Sequence, residues 1–391
     1  MSKEMKLIPE LRFPEFDKDG KWDVKTFKEL FEIGNGRDYK HLDKGDIPVY
    51  GSGGYMLSVN DYLYDGESAC IGRKGTINNP MFLSGKFWTV DTLFYTHSFK
   101  DCLPKYVYYL FQSIDWLKHN EAGGVPSLSK TNIYQIETLI SHPQEQEKIA
   151  SCLSSLDELL AAHKDKLDAL KDHKKGLMQN LFPQEGERVP KVRFKEFKDD
   201  RKWELKELGK VAEIITGNTP STKEPSFYGG EKMFVSPADI NDNRIVSQTK
   251  TTLTELGFSK TRQIKSNSVL FVCIGSTIGK IAQNKYECAT NQQINSLVAL
   301  NGYSSDFLYS LLDSNSKEIA SIAGKHAVPL INKTSFSAVK LPFPPKKEEQ
   351  QKIASCLSAL DELINAQTDK IEQLQQHKKG LMQGLFPKII N

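Results

Sequence analysis

The sequence has no apolar run long enough to cross a bilayer, which takes about 20 residues. Its opening, MSKEMKLIPELRF, lacks the apolar centre that a secretory leader needs. Both absences point to a cytoplasmic chain with no membrane partner. Cysteine is scarce and unpatterned: the six residues at 70, 102, 152, 273, 288 and 356 include no Cys-x-x-Cys pair. Zinc ligation is therefore disfavoured, no metal site is expected, and the thiols read as free and buried. Charge of one sign is missing too, since 52 Lys and Arg face 49 Asp and Glu for a formal net charge of +3. Nucleic-acid binding, if present, must then rest on basic groups concentrated locally.

Catalytic constellations are also missing. Gly275-Ser-Thr-Ile-Gly279-Lys280 has only three residues between its glycines, and Ile281 follows the lysine, so it is not a phosphate-binding loop of the Walker type. Asn79-Pro80-Met81-Phe82 lacks the second proline of the amino-methyltransferase motif, and no glycine-rich methyl-donor site precedes it. Glu204-Leu-Lys206 behind Asp199 and Asp200 imitates a nuclease set, but the gap is short and the related segment reads Asp23-Val-Lys25. No His, Asp and Ser share a telling spacing. The chain is expected to have no catalytic residues and no cofactor of its own.

What the sequence has is a duplication. KIASCLSSLDEL at 148–159 returns as KIASCLSALDEL at 352–363, and HKKGLMQNLFP at 173–183 as HKKGLMQGLFP at 377–387, both 204 residues on. Ahead of each copy, Leu11-Arg12-Phe13-Pro-Glu-Phe16 with Trp22 is echoed by Val192-Arg193-Phe194-Lys-Glu-Phe197 with Trp203, 181 residues on. The chain is two tandem units, each a long variable region followed by a near-identical helix. That arrangement implies one task performed against two targets.

The helices are legible in detail. Ile149, Leu153, Leu156, Leu160, His163, Leu167, Leu170, Lys174, Leu177 and Leu181 follow at alternating spacings of four and three, a coiled-coil seam, and Ile353 to Leu385 repeats it. Its polar interruptions match, His163 with Gln367 and Lys174 with Lys378. About 38 residues at about 1.5 Å each give a rod of roughly 57 Å, bounded by Pro143 and Pro183. The natural partner for each seam is the other copy, packed antiparallel about a pseudo-twofold axis. The plainer alternative is that each helix packs only on its own domain. Off the seam, Ser154, Asp157, Glu158, Lys175 and Gln179 recur as Ser358, Asp361, Glu362, Lys379 and Gln383. A seam does not fix such positions, so they are expected to form a partner-binding face used twice.

The expected divisions are a first domain over 1–142, a first helix over 143–183, a second domain over 184–345 and a second helix over 346–387. Each domain opens with a short helical pattern, Val24 to Ile33 and Leu205 to Ile214. Short strands follow, such as Ile47-Pro-Val49-Tyr50 and Val269 to Ile274. Two α+β domains of common ancestry fit this pattern. Gly124-Val125-Pro126 running to Lys130-Thr131 matches Ala327-Val328-Pro329 running to Lys333-Thr334. The loops carry groups suited to phosphates and base edges. In the first domain these are Asn35, Arg37, Tyr39, Lys40, Arg73, Lys74, Thr76, Ser127, Ser129 and Lys130. In the second they are Thr216, Asn218, Thr219, Ser276, Thr277, Lys280, Asn291, Gln292, Lys325, His326 and Lys333. Singly, a basic residue beside glycine is most often a solvated turn; recurrence at matching places is what singles these out.

The helix motifs carry a resemblance. One opens Pro143-x-Glu-Gln-x-Lys-Ile-Ala150, its copy runs from Pro345 to Ala354 with two residues more, and both close with Lys-Lys-Gly-Leu-Met-Gln-x-Leu-Phe-Pro. With two variable domains alternating with these helices, the chain resembles the specificity subunit of type I restriction-modification systems over its whole length. The resemblance implies two target-recognition domains and two long helices packed as an antiparallel coiled coil. It implies readout of a bipartite double-stranded DNA target whose halves are separated by a spacer that the helices set. Two copies of the modification subunit, an adenine methyltransferase, would dock on it, and restriction-translocase subunits would join. S-adenosylmethionine and ATP with magnesium would be bound by those partners. The competing reading is a coiled-coil adaptor without sequence-specific DNA readout, which leaves two loop-bearing domains without a role.

Overall fold

The computed structural model describes residues 7–241, 243–324 and 329–387. It divides into two compact units, one of residues 1–164 with 370–391 and one of residues 165–369. Each unit therefore holds one variable domain, half of one long helix and half of the other.

The two helices span Pro143–Leu181 and Lys347–Leu385, 39 residues each. In the first unit the opening turns of the first helix (Ile149, Ala150, Leu153) share a core with the closing turns of the second (Leu381, Met382, Leu385, Phe386). In the second unit Leu177, Met178, Leu181 and Phe182 meet Ile353, Ala354 and Leu357. Start packs on end in both, so the helices run antiparallel. The same cores include the domains' own residues, so the helices pack on each other and on their domains together. Leu153, Ile149 and Leu357, at 0%, 1% and 1% exposure, are the best buried seam residues. The lysine interruptions are paired: Lys378 Nζ lies 2.6 Å from Asp157 Oδ1 and Lys174 Nζ 2.6 Å from Asp361 Oδ1. These pairs satisfy a charge at the seam and favour one register.

The repeated Arg-Phe…Trp segments have a structural purpose. Arg12 grips Glu145 with two parallel hydrogen bonds of 2.8 and 2.9 Å, and the Trp22 indole N–H donates to the same carboxylate at 3.1 Å. In the second unit Arg193 grips Glu349 at 2.7 and 2.7 Å, and Trp203 donates at 3.2 Å. The neighbouring glutamines also hold loops to the helices. Gln146 Oε1 accepts from Leu103 N, and Gln350 Oε1 from Ser304 N, both at 3.0 Å. The Glu-Gln of the helix openings is thus a buried clasp between helix and domain.

The first domain has two four-stranded sheets. One is ordered Glu32–Asn35, Leu93–His97, Ser68–Gly72, Met81–Leu83, the other Gly54–Val59, Lys44–Gly51, Lys86–Thr89, Tyr64–Asp65. The second domain has five strands ordered Ala212–Thr216, Ile294–Ala299, Val269–Val272, Ile281–Asn284, Ile245–Val246, and three ordered Thr251–Leu253, Tyr228–Val235, Cys288–Thr290. The strands expected around Ile47 and Val269 are present. The helical patterns at 24–33 and 205–214 are corrected: each is a strand, a single helical turn and another strand. Asp23–Thr26 pairs antiparallel with Glu137–Ile140, and Glu204–Glu207 with Lys340–Phe343, so backbone pairing overrides the apolar spacing. In the first domain Glu29 closes a capping box on Thr26 and starts the turn Phe27–Leu30.

Candidate nucleic-acid interface and partner face

Both domains build their loop ends on one hydrogen-bonded frame. In the first, Arg73 N donates to Thr92 O at 2.8 Å, Gly75 N to Pro126 O at 2.9 Å and Leu128 N to Arg73 O at 2.9 Å. In the second, Cys273 N donates to Gln293 O at 2.8 Å, Gly275 N to Pro329 O at 2.9 Å and Ile331 N to Cys273 O at 2.9 Å. Gly75 and Gly275 both take positive φ, +88° and +96°, which glycine accommodates without strain. The strands agree: Asn35 pairs with Phe94 as Thr216 pairs with Asn295. Gly36 and Gly217 are matched by crowding. A Cβ at Gly36 would lie 1.9 Å from Val90 O, and one at Gly217 would lie 2.2 Å from Thr290 O.

On this common frame the side chains differ. Asn35, Arg37, Lys40, Arg73, Lys74 and Thr76 are exposed in the first domain, while Tyr39, Ser127, Ser129 and Lys130 are half-buried. The frame brings the strand-end loops together, since Lys74 bridges to Ser127 and a Cβ on Gly75 would lie 3.4 Å from Ser52 Oγ. Trp88 Nε1 donates to Arg37 O at 2.9 Å and holds that loop down. The Arg73 guanidinium sits 5.8 Å from the centre of the Phe94 ring, with Lys130 Nζ at 6.0 Å from the same ring. Lys130 Nζ donates to Ile33 O at 2.6 Å. Burial, and then the nearby Arg73, hold the Lys130 ammonium below its usual pKa. Ser129 caps the turn Lys130–Tyr134 and donates to Glu121 at 2.7 Å, so its hydroxyl has a structural task. Asp38 and Asp91, both exposed, interrupt the basic surface.

In the second domain polar amides and hydroxyls replace most of the cations. Thr216 Oγ1 donates to Asn295 Oδ1 at 2.7 Å, and Thr219 Oγ1 to Gln292 Oε1 at 2.8 Å. Asn291 Nδ2 donates to Gln293 Oε1 at 2.9 Å, and Asn218 Nδ2 to Lys260 O at 3.0 Å. Ser276 is exposed and Thr277 half-buried just beyond Gly275; Lys280 is exposed and donates to Ile240 O at 3.0 Å. Lys333 is exposed at the start of the turn Lys333–Ser337. Lys325 and His326 lie outside the described residues. Sequence reasoning missed Arg262, whose Nη1 donates to Thr216 O at 2.7 Å while its backbone N–H donates to Asn218 Oδ1 at 2.8 Å. It also missed Phe94, whose role depends on strand pairing that spacing alone does not reveal.

The recurrent helix residues separate into two groups. Asp157 accepts from Lys378 and from Tyr109 Oη at 2.9 Å. Asp361 pairs with Lys174, and Arg244 Nη1 stands 3.5 Å from it while also donating to Ser358 Oγ. Ser154 is half-buried. Asp157, Asp361 and Ser358 are thus engaged within their own units. Glu158, Lys175, Gln179, Glu362, Lys379 and Gln383 are exposed. Beside them the matched Leu159 and Leu363 stand 44% and 54% exposed, an apolar pair that the seam does not require.

Among the described residues, no three His, Cys, Asp or Glu are grouped to hold a metal ion, and no helix is long and apolar enough to cross a membrane. All six cysteines are free, four of them buried; Cys152 and Cys356 are half-buried. Burial pushes the Cys70 and Cys273 thiols up to about 12.

A family model described as the type I restriction modification DNA specificity domain matches residues 19–172 and 200–376. The chain is 28% identical over 189 residues to the type I restriction enzyme MjaIX specificity subunit of Methanocaldococcus jannaschii, covering 47% of this chain and 44% of that one. It is 32% identical over 154 residues to the HindI specificity subunit of Haemophilus influenzae, covering 38% of this chain and 33% of that one. The matches thus span less than half the length of either relative. The S subunit of the type I restriction-modification system from M. genitalium superimposes with a TM-score of 0.72 at 15% identity, over 98% of this chain and 100% of that one, a likeness of fold. With most of its length matched by one family, the chain belongs to the type I restriction-modification DNA specificity proteins.

Proposed function

We propose that this chain is the DNA-reading subunit of a cytoplasmic type I restriction-modification complex and performs no reaction itself. Each variable domain reads one half of a bipartite double-stranded target, and the paired helices set the distance between the halves. The observation that carries this reading is the duplicated loop frame: the same hydrogen bonds at 73–75 with 126–128 and at 273–275 with 329–331, bearing different side chains. A frame kept while its surface changes is what two readers of different sequences require. Two copies of the methyltransferase subunit would dock on the repeated outer face, one on the first unit around Glu158, Leu159, Lys379 and Gln383 and one on the second around Glu362, Leu363, Lys175 and Gln179. Restriction-translocase subunits would complete the assembly, with S-adenosylmethionine, ATP and magnesium bound by the partners. Mapping methylated adenines in a host carrying the complete system tests this. The expected result is one motif of two defined halves around an undefined spacer; a single contiguous motif would contradict it.

A further inference from the structure

We infer that Arg73 is a base-reading residue of the first domain, specific for a guanine in its half-site, and that the second domain has no counterpart. The inference rests on the DNA-reading role proposed above. Four observations lead to it. The backbone of Arg73 is pinned on both sides, N–H to Thr92 O and C=O from Leu128 N, so the side chain leaves from a fixed point among the loops. Its side chain is exposed, and its guanidinium carbon lies 5.8 Å from the centre of the buried Phe94 ring, a cation–π contact that favours one side of the loop. Lys130 Nζ lies 6.0 Å from the centre of the same ring, so two cations gather at Phe94. In the second domain the same frame position is Cys273, 2% exposed, whose sulfur accepts from Asn295 Nδ2 at 3.2 Å. Asn295 replaces Phe94 and Cys273 replaces Arg73, so ring and guanidinium are exchanged together.

A phosphate would be served by any nearby lysine. A planar guanidinium leaving a pinned backbone position is instead matched to two acceptors in one plane, which guanine O6 and N7 present in the major groove. Arg37 and Lys74, exposed and without such support, are left for the backbone phosphates.

The test uses the full chain assembled with its methyltransferase subunits and duplexes carrying its methylated target. Each guanine of the half-site read by the first domain is replaced in turn by 7-deazaguanine, which removes the N7 acceptor. At one position wild-type binding should fall about 10- to 100-fold. In Arg73→Ala the same replacement should have no further effect, and Arg73→Lys should keep general affinity while losing the preference. A wild-type complex indifferent to every such replacement, or a half-site without guanine, overturns the inference without recourse to a variant. So does an Arg73→Ala complex that is weakened equally on all duplexes yet keeps the full 7-deaza penalty, the mark of a phosphate contact. If the wild-type complex does not prefer its bipartite target over random duplex, the DNA-reading role itself fails, and the inference with it.

Discussion

Replacing Glu145 by alanine removes the acceptor that joins three elements of the first unit. The carboxylate is 1% exposed and receives the Arg12 fork and the Trp22 indole, while the Arg12 side chain is 7% exposed. Removal leaves a buried guanidinium without its counter-charge and a buried indole N–H without a partner. Breaking one side of a buried ion pair costs about 3–5 kcal/mol, and an unsatisfied buried donor about 1–3 kcal/mol. The two overlap because they share one group. Arg12 also keeps the Gly20 carbonyl at 3.0 Å, which draws the sum back toward about 4 kcal/mol. Glu145→Gln, which keeps an acceptor but not the charge, should cost about half as much. Urea unfolding followed by hydrogen exchange measures this and locates it: protection in the core around Trp22, Phe27 and Phe111 should fall, while the core around Trp203 and Phe307 keeps its protection. Glu349→Ala should do the reverse. A Glu145→Ala chain within about 0.5 kcal/mol of wild type would refute the clasp as a stabilising device.

Three further outcomes follow from the structure. Leu159→Asp with Leu363→Asp should weaken assembly with the methyltransferase subunits about 10-fold or more, read by analytical ultracentrifugation, while the melting temperature of the free chain barely changes. Gly36→Ala pushes a methyl group into Val90 O, so it should cost about 1–3 kcal/mol and abolish recognition by the first domain alone, seen in duplexes altered in one half. The carboxyl of Asp313 is raised above its ordinary 3.8 by burial first and then by Asp361, with Lys174 opposing. In the pH window between its unfolded and its raised folded value this carboxyl keeps a proton that the unfolded chain has released, so its contribution to stability falls as pH rises from about 4 through that window. Because 31% of the side chain is exposed the slope is modest, and Asp313→Asn should flatten it in urea midpoints from pH 4 to 7.

The long helices were legible because their signal is local and repeated: seam spacing, proline bounds and matched interruptions all sit within one stretch of chain. The antiparallel pairing follows from self-complementarity of the copies, and Lys378 with Asp157 and Lys174 with Asp361 bear it out. What spacing could not give was the destination of side chains across long sequence separations. Glu145 and Glu349 read as parts of a helix motif and are clasps for Arg12 and Arg193. Asp157 and Asp361, expected in a partner-binding face, also pair with the seam lysines Lys378 and Lys174. The segments at 24–33 and 205–214 look helical because Phe27, Leu30 and Phe31 lie at helical spacing, yet the strand that opens each pairs with one more than 100 residues away. Exposed loop positions such as Arg37 and Lys74 were found by composition; the crowding that demands Gly36 and Gly217 could be traced only as a matched glycine in Asn-Gly-Arg and Thr-Gly-Asn.

The central claim is that two independent readers share one chain, and an exchange of one reader tests it directly. Residues 1–142 are replaced by the corresponding domain of a related specificity protein that recognises a different target, and methylated adenines are mapped across the host genome. The account predicts a motif in which one half changes to that of the donor while the other half and the spacer length are kept. A motif changed in both halves, or unchanged in both, would contradict it.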